Sequence, residues 1–411
     1  MSVRARLFRP ATMRDFDAED RRVTWLELFF DLIFVAAVAS LADGLAHHPT
    51  LEGLWHFVAL FVPVWWAWMA FTWFATAWDN DDVFHRVAML IGMLLGIVLA
   101  AGIPRVLEGN DRLFVTAYAA MMLLLVAMFA RVVPHAGEAR GLAVTYLVTD
   151  LLGAAIWLAS LLVGQPGRYW VWVVAMLVLL TGPIFAVRAY SGQPYDERHI
   201  PERYGLFTII VLGEGVLAVS ATLADVNLNV RAIVTGVLGF GLAAAIWWTY
   251  FETMTAAALS RERLGAAFLW GYGQFFAFSG IAAAAVGVEL AIVDAAKERG
   301  LDVAARLAIC GGPAAFLFAL AAIHRVTEDR SDRVLVERAI AIALLIGIAL
   351  IGEGLGPVAL VGAVLLVFLI TAALDIRHTA HRPGMQTEAA PSDDVGATDG
   401  SQPIDGRSPL G

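Results

Sequence analysis

The 411-residue chain is short of cysteine, of charge, and of any block of one charge sign, and each shortage removes a class of protein. Its single cysteine, Cys310, lies inside an apolar run, which excludes an intramolecular disulfide and a cysteine-based metal site. His47, His48 and His85 lie in or beside loops with no acid or cysteine at metal-ligand spacing, so neither a metal nor another cofactor is expected. Charged residues make up only 16% of the chain. Its formal charge of -9 gathers in the C-terminal tail and short loops, leaving no basic patch for nucleic acid. No Walker loop, HExxH, GxSxG or dinucleotide fingerprint occurs in a supporting context. An ATP-driven pump and a soluble-type catalytic site are therefore not indicated, and the chain is not expected to be an enzyme.

What is abundant is apolar surface. Hydrophobic residues form 60% of the sequence, more than a soluble core can absorb. A bilayer core about 30 Å thick needs about 20 mostly apolar residues per helical crossing. Apolar runs bounded by charge, Pro or Gly predict crossings at 26–46, 54–77, 86–104, 112–131, 141–163, 168–188, 204–224, 231–252, 264–292, 303–323, 336–352 and 356–376. The expected fold is all-α, a polytopic transmembrane bundle of about twelve helices, with the long ninth run leaving room for tilt or a break near Gly280. The first run contains acids and no small-residue cleavage site, so it is expected to be a retained helix.

With the N-terminus inside, the cytoplasmic side collects 21 Arg and Lys and the opposite loops 7, accounting for all 28 basic residues. This is the bias of the positive-inside rule, and it places both termini in the cytoplasm. The chain then divides into a basic N-terminal segment (1–24), a first six-helix half (25–190), a cytoplasmic linker (191–203), a second six-helix half (204–376) and a polar tail (377–411) whose composition predicts disorder. A shift of 182 positions lays Ser40-Leu41-Ala42-Asp43 on Thr222-Leu223-Ala224-Asp225 and Trp65-Trp66-Ala67-Trp68 on Trp247-Trp248-Thr249-Tyr250. Two parallel six-helix repeats are expected from that match.

Glu27-Leu28-Phe29-Phe30-Asp31-Leu32-Ile33-Phe34-Val35 in the first run and Glu202-Arg203-Tyr204-Gly205-Leu206-Phe207-Thr208-Ile209-Ile210-Val211-Leu212-Gly213-Glu214 at the seventh resemble the bacterial low-temperature-requirement protein A family, LtrA. The Trp-rich second run ending in Trp78-Asp79-Asn80 fits as well, and the resemblance covers roughly 23–380. It implies a location in the bacterial inner membrane and no defined substrate.

Acids within such helices are functional candidates, because a carboxylate near mid-membrane costs ~2.5–3.5 kcal/mol on insertion scales and needs a partner, an ion or water. Glu27 and Asp31, four apart, share one helical face. Alternatively, Glu27 sits at the interface in a salt bridge with Arg21 or Arg22. Glu214, flanked by Gly213 and Gly215, lies near the centre of the seventh run and is the first choice for a pathway acid; its alternative is an interhelical hydrogen bond. Asp150 lies deep in the fifth run, while Asp43 and Asp225 close the first and seventh, as solvated helix ends or the rim of a pathway. Candidate charge partners are His56, Arg188 and Arg203. The tryptophans are expected to form interfacial belts and to pack helices.

These features favour a secondary transporter for a small solute coupled to a proton or monovalent cation. A cation channel-like pore is the alternative, since Phe29-Phe30-Asp31 is similar to the Phe-Ser-Asp motif of the lysosomal potassium-channel-like family, although the Ser and Gly of that motif are missing. A lipid-modifying membrane enzyme built on His324, Glu328 and Asp329, or a sensory or structural role, stays open.

Overall fold

The structure is a computed structural model, and it describes residues 12–13, 23–79, 82–190, 199–256, 264–326 and 331–380. Arg21, Arg22, Glu328, Asp329, the polar tail beyond 380 and most of the linker lie outside the described residues.

Twelve helices follow in order: α1 Trp25–His47, α2 Leu51–Ala77, α3 Val83–Leu107, α4 Arg112–Val132, α5 Arg140–Ser160, α6 Gly167–Arg188, α7 His199–Asp225, α8 Val230–Ala256, α9 Leu264–Ala296, α10 Val303–Val326, α11 Asp332–Ile351 and α12 Pro357–Ala380. All twelve are long and apolar enough to cross a membrane. A two-residue antiparallel pairing of Thr12–Met13 with Trp78–Asp79 is the strand structure among the described residues. The face of the bundle where α1 begins is called the near face, and the one where it ends the far face.

Local chemistry explains the helix starts that matter for function. α1 opens with a capping box: the Thr24 side chain accepts from the Glu27 amide, and the Glu27 carboxylate accepts from the Thr24 amide at 2.8 Å and the Thr24 hydroxyl at 2.9 Å. α7 begins at His199, five residues before the expected start, because Pro201 fits a first helical turn and Glu202 complements the positive helix end there. That extension carries both His199 and Arg203 into the bundle.

The ninth crossing does not break. α9 is continuous through Gly280, whose missing side chain lets α10 approach: a Cβ there would lie 2.5 Å from the Gly312 carbonyl oxygen. Without a hydrophobic drive between helices inside a bilayer, such close backbone contact is what holds them. The tryptophans divide between the two expected roles, interfacial and packing. Trp25, Trp55 and Trp170 are exposed near helix ends, but Trp65, Trp66 and Trp68 are buried in α2, with Trp78, Trp157 and Trp270 also in the core.

Both sets of six share an order of neighbours. α1 packs on α2 and α3, and α3 on α4, α4 on α5 and α5 on α6; α7 packs on α8 and α9, and α9 on α10, α10 on α11 and α11 on α12. α8 also packs extensively on α12, a contact with no equally extensive α2–α6 counterpart. The two sets meet where α1 lies against α7 and α9.

Candidate functional site

The α1–α7 seam carries most of the candidate acids, and it divides them into two unlike environments. At the near face, α1 supplies Glu27 and Asp31, α7 supplies His199 and Arg203, and α2 supplies Trp68 and Thr76. Arg203 and Asp31 are both 0% exposed. The Arg203 guanidinium donates to Asp31 from Nη2 at 3.0 Å and from Nε at 3.4 Å, and its Nη1 lies 3.6 Å from Glu27 Oε1. The Trp68 indole N–H donates to Asp31 Oδ1 at 2.7 Å, so this carboxylate is held by two helices at once.

His199 Nε2 lies 3.5 Å from Glu27 Oε2, and its Nδ1 lies 3.3 Å from the Thr76 hydroxyl. That hydroxyl already donates its proton to the Thr72 carbonyl at 2.9 Å, so toward His199 it accepts. The imidazole thus donates from Nδ1 to Thr76 and turns Nε2 toward Glu27. The sequence reading found Glu27, Asp31 and Arg203 but missed His199. Its signal was the spacing to Arg203, four residues and one turn away.

An aromatic layer covers this cluster on its far side. Trp68 stacks on Phe207 at 4.3 Å and meets Tyr204 edge-on at 4.8 Å, Phe207 packs on Phe278 at 4.9 Å, and Phe30 on Phe34 at 4.9 Å. All of these rings are buried.

Beyond that layer the seam opens into a cavity of about 410 Å³ between α1, α7 and α9. Asp43, Glu214 and Glu289 line it together with Ser40 and Thr222, over a floor that includes Val38 and Val211. Glu214 and Glu289 are half-buried, and Asp43 is exposed at the rim, paired with His47 at 3.1 Å. Glu214 is eleven residues beyond Arg203, about 16 Å along α7. The packing of α9 turns a further acid, Glu289, into the cavity.

The remaining candidates scatter. Asp225 is exposed at the end of α7 and lines neither environment. Its supposed repeat counterpart Asp43 does line the cavity, so the two positions differ in surroundings. Arg188 is exposed and lies over the Phe185 ring at 6.0 Å; it pairs with none of the acids. His56 lines a separate far-face cavity of about 300 Å³ with His48 and Glu52. Asp150 is buried between α2, α4, α5 and α6, away from the α1–α7 seam. His324 accepts from the Ser331 amide at 3.2 Å. Among the described residues no group of three His, Cys, Asp or Glu is placed to hold a metal.

A second buried ion pair, unnoticed in the sequence, joins the last helices. Arg338 of α11 donates to the Thr253 hydroxyl of α8 at 2.7 Å and lies 3.6 Å from Asp375 of α12.

Twelve apolar helices with a buried charge cluster and an acid-lined cavity on one seam define a multi-pass integral membrane protein. The sequence matches the family described as bacterial low temperature requirement A protein (LtrA) over residues 22–373. The chain belongs to that family. It is also similar to an uncharacterized protein of Rhizobium meliloti (strain 1021), 28% identical over 333 residues, which span 77% of this chain and 80% of that protein. No solved structure matches it.

Proposed function

We propose that this protein is a secondary transporter of the bacterial inner membrane, coupling a proton or monovalent cation to the movement of a small solute along the α1–α7 seam. In this reading the near face and both termini are cytoplasmic, as the distribution of basic residues favours, and the acid cavity faces outward. Glu214 is the coupling acid, with Glu289 and Asp43 drawing cations into the cavity, because carboxylates in a concave, low-dielectric setting concentrate the field. The Arg203–Asp31–Glu27–His199 cluster and the aromatic layer act as the closed inner gate. The observation that carries the reading is the placement of an acid-lined cavity and a buried ion-pair cluster on the same two helices, one on each side of an aromatic layer. The two halves of the bundle meet at this seam, as a rocking mechanism requires, whether or not they are repeats.

A gated carrier fits better than an open channel-like pore, because buried aromatic rings lie between the two environments. It also fits better than lipid chemistry, since the acids gather along the seam and not at one membrane interface.

The test is proton flux into liposomes that contain the full chain and an entrapped pH-sensitive dye, driven by a potassium diffusion potential. Wild-type protein is expected to acidify or alkalinise the lumen above empty vesicles, and Glu214→Gln to reduce that rate at least tenfold while the protein inserts normally. Wild-type flux through the Glu214→Gln variant would remove Glu214 from the pathway.

A further inference from the structure

Asp150 is a mid-helix acid that neither the charge cluster nor the acid cavity takes up. It lies midway along α5 and is 5% exposed, and no hydrogen bond or ion pair from the described residues reaches its carboxyl. It faces a cavity of about 30 Å³ walled by Trp66 and Trp73 of α2, Phe129 of α4, Tyr146 of α5 and Leu179 of α6. A space of that size holds about one water molecule.

The surroundings narrow what can bind. The titratable groups nearby are Tyr146 on the same helix, Tyr118 from α4 and Tyr272 from α9; α2 and α6 add none to the lining. Tyr118 donates to Met176 Sδ at 3.5 Å, and Tyr272 to the Leu180 carbonyl at 2.5 Å. No Arg, Lys or His lines the cavity to balance a carboxylate. An organic cation is too large for the space. A metal ion such as Ca²⁺ or Mg²⁺ takes about six or more oxygen ligands. Here the side-chain oxygens are the Asp150 carboxyl, the Tyr146 phenol and the Thr149 hydroxyl, whose proton is directed to the Thr145 and Tyr146 carbonyls. What fits is a proton on the carboxyl with one water beside it.

We infer that the Asp150 cavity is a second proton-binding site, in which the carboxyl takes up and releases a single proton independently of the Glu214 cavity. The inference does not rest on the transport reading. The site also touches the near-face cluster through α2: Trp73, in its wall, donates to the Tyr204 hydroxyl at 3.1 Å, and Trp68 on the same helix holds Asp31. Protonation at Asp150 therefore occurs against the helix that supports the lock.

The experiment is reaction of the full chain in liposomes with dicyclohexylcarbodiimide, an apolar reagent that modifies protonated carboxyls inside membranes. The carboxyl oxygen adds to the central carbon of the reagent, the acid proton moves to nitrogen, and an oxygen-to-nitrogen acyl shift leaves a stable acylurea with no leaving group. Peptide mass spectrometry is expected to find the adduct on Asp150 at acid pH, with a yield at least tenfold lower at alkaline pH, and to find none at that position in Asp150→Asn. Sodium chloride and choline chloride are expected to leave the yield unchanged. Absence of the adduct from Asp150 in a sample where Glu214 is modified would overturn the site. Equal yields at acid and alkaline pH would overturn proton exchange, and protection by sodium alone would assign the cavity to a metal cation instead.

Discussion

The near-face cluster and the far-face cavity are built on the same pair of helices from the same residue type, yet they treat their carboxylates in opposite ways. Glu27 and Asp31 are withdrawn from water and matched by Arg203 and His199 within a few ångströms. Glu214 and Glu289 line a cavity whose walls hold no Arg, Lys or His. Breaking a buried ion pair by removing one partner costs about 3–5 kcal/mol, whereas a carboxylate in contact with water pays no such penalty. The first arrangement resists change until both charges move together. In the second, no cationic side chain of the wall is fixed to Glu214. An acid in a membrane helix therefore says little by itself; the cation facing it, or its absence, decides between a lock and a binding site.

The comparison can be broken at several points. Arg203→Met strands the buried Asp31 carboxylate and is expected to lower stability by about 3–5 kcal/mol, read as a fall in thermal midpoint in detergent. Adding Asp31→Asn is expected to recover part of that loss, since it removes the carboxylate left without its cation while Glu27 keeps His199. Trp68→Phe keeps the ring stack on Phe207 but removes the indole donor to Asp31, and a loss of about 1.5–3 kcal/mol is expected by the same measurement. Glu214→Gln, for all its effect on flux, is expected to change stability by no more than about 0.5 kcal/mol, because the side chain has no partner to lose. Asp225→Asn, exposed at a helix end, is expected to alter neither flux nor stability.

The twelve crossings were legible because the bilayer imposes a length and a composition that no single residue can disguise. Asp31, Glu214 and Arg203 stood out as candidates for a related reason, the cost of charge in apolar surroundings. Which acids meet was not, because pairing depends on helix rotation and on contacts across long stretches of chain: Asp31 and Arg203 are 172 positions apart. His199 escaped notice because the expected seventh crossing began after it, and the place of Glu289 in the cavity was hidden because its face of α9 is set by packing against α1 and α7. The burial of Trp65, Trp66 and Trp68 likewise follows from the central position of α2, between Asp31 on one side and the Asp150 cavity on the other. The alignment of Asp43 with Asp225 captured equivalent helix ends but not equivalent environments.

The central claim, a wet far half and a sealed near half on one seam, is tested most directly by thiol accessibility in the intact membrane. Ser40→Cys, in the cavity, and Thr76→Cys, in the cluster, each combined with Cys310→Ala, are treated with a membrane-impermeant methanethiosulfonate from either side. The account predicts rapid modification of the Ser40 variant from the far side only and none of the Thr76 variant from either side. Modification of the Thr76 variant from the near side as fast as the Ser40 variant from the far side would contradict it.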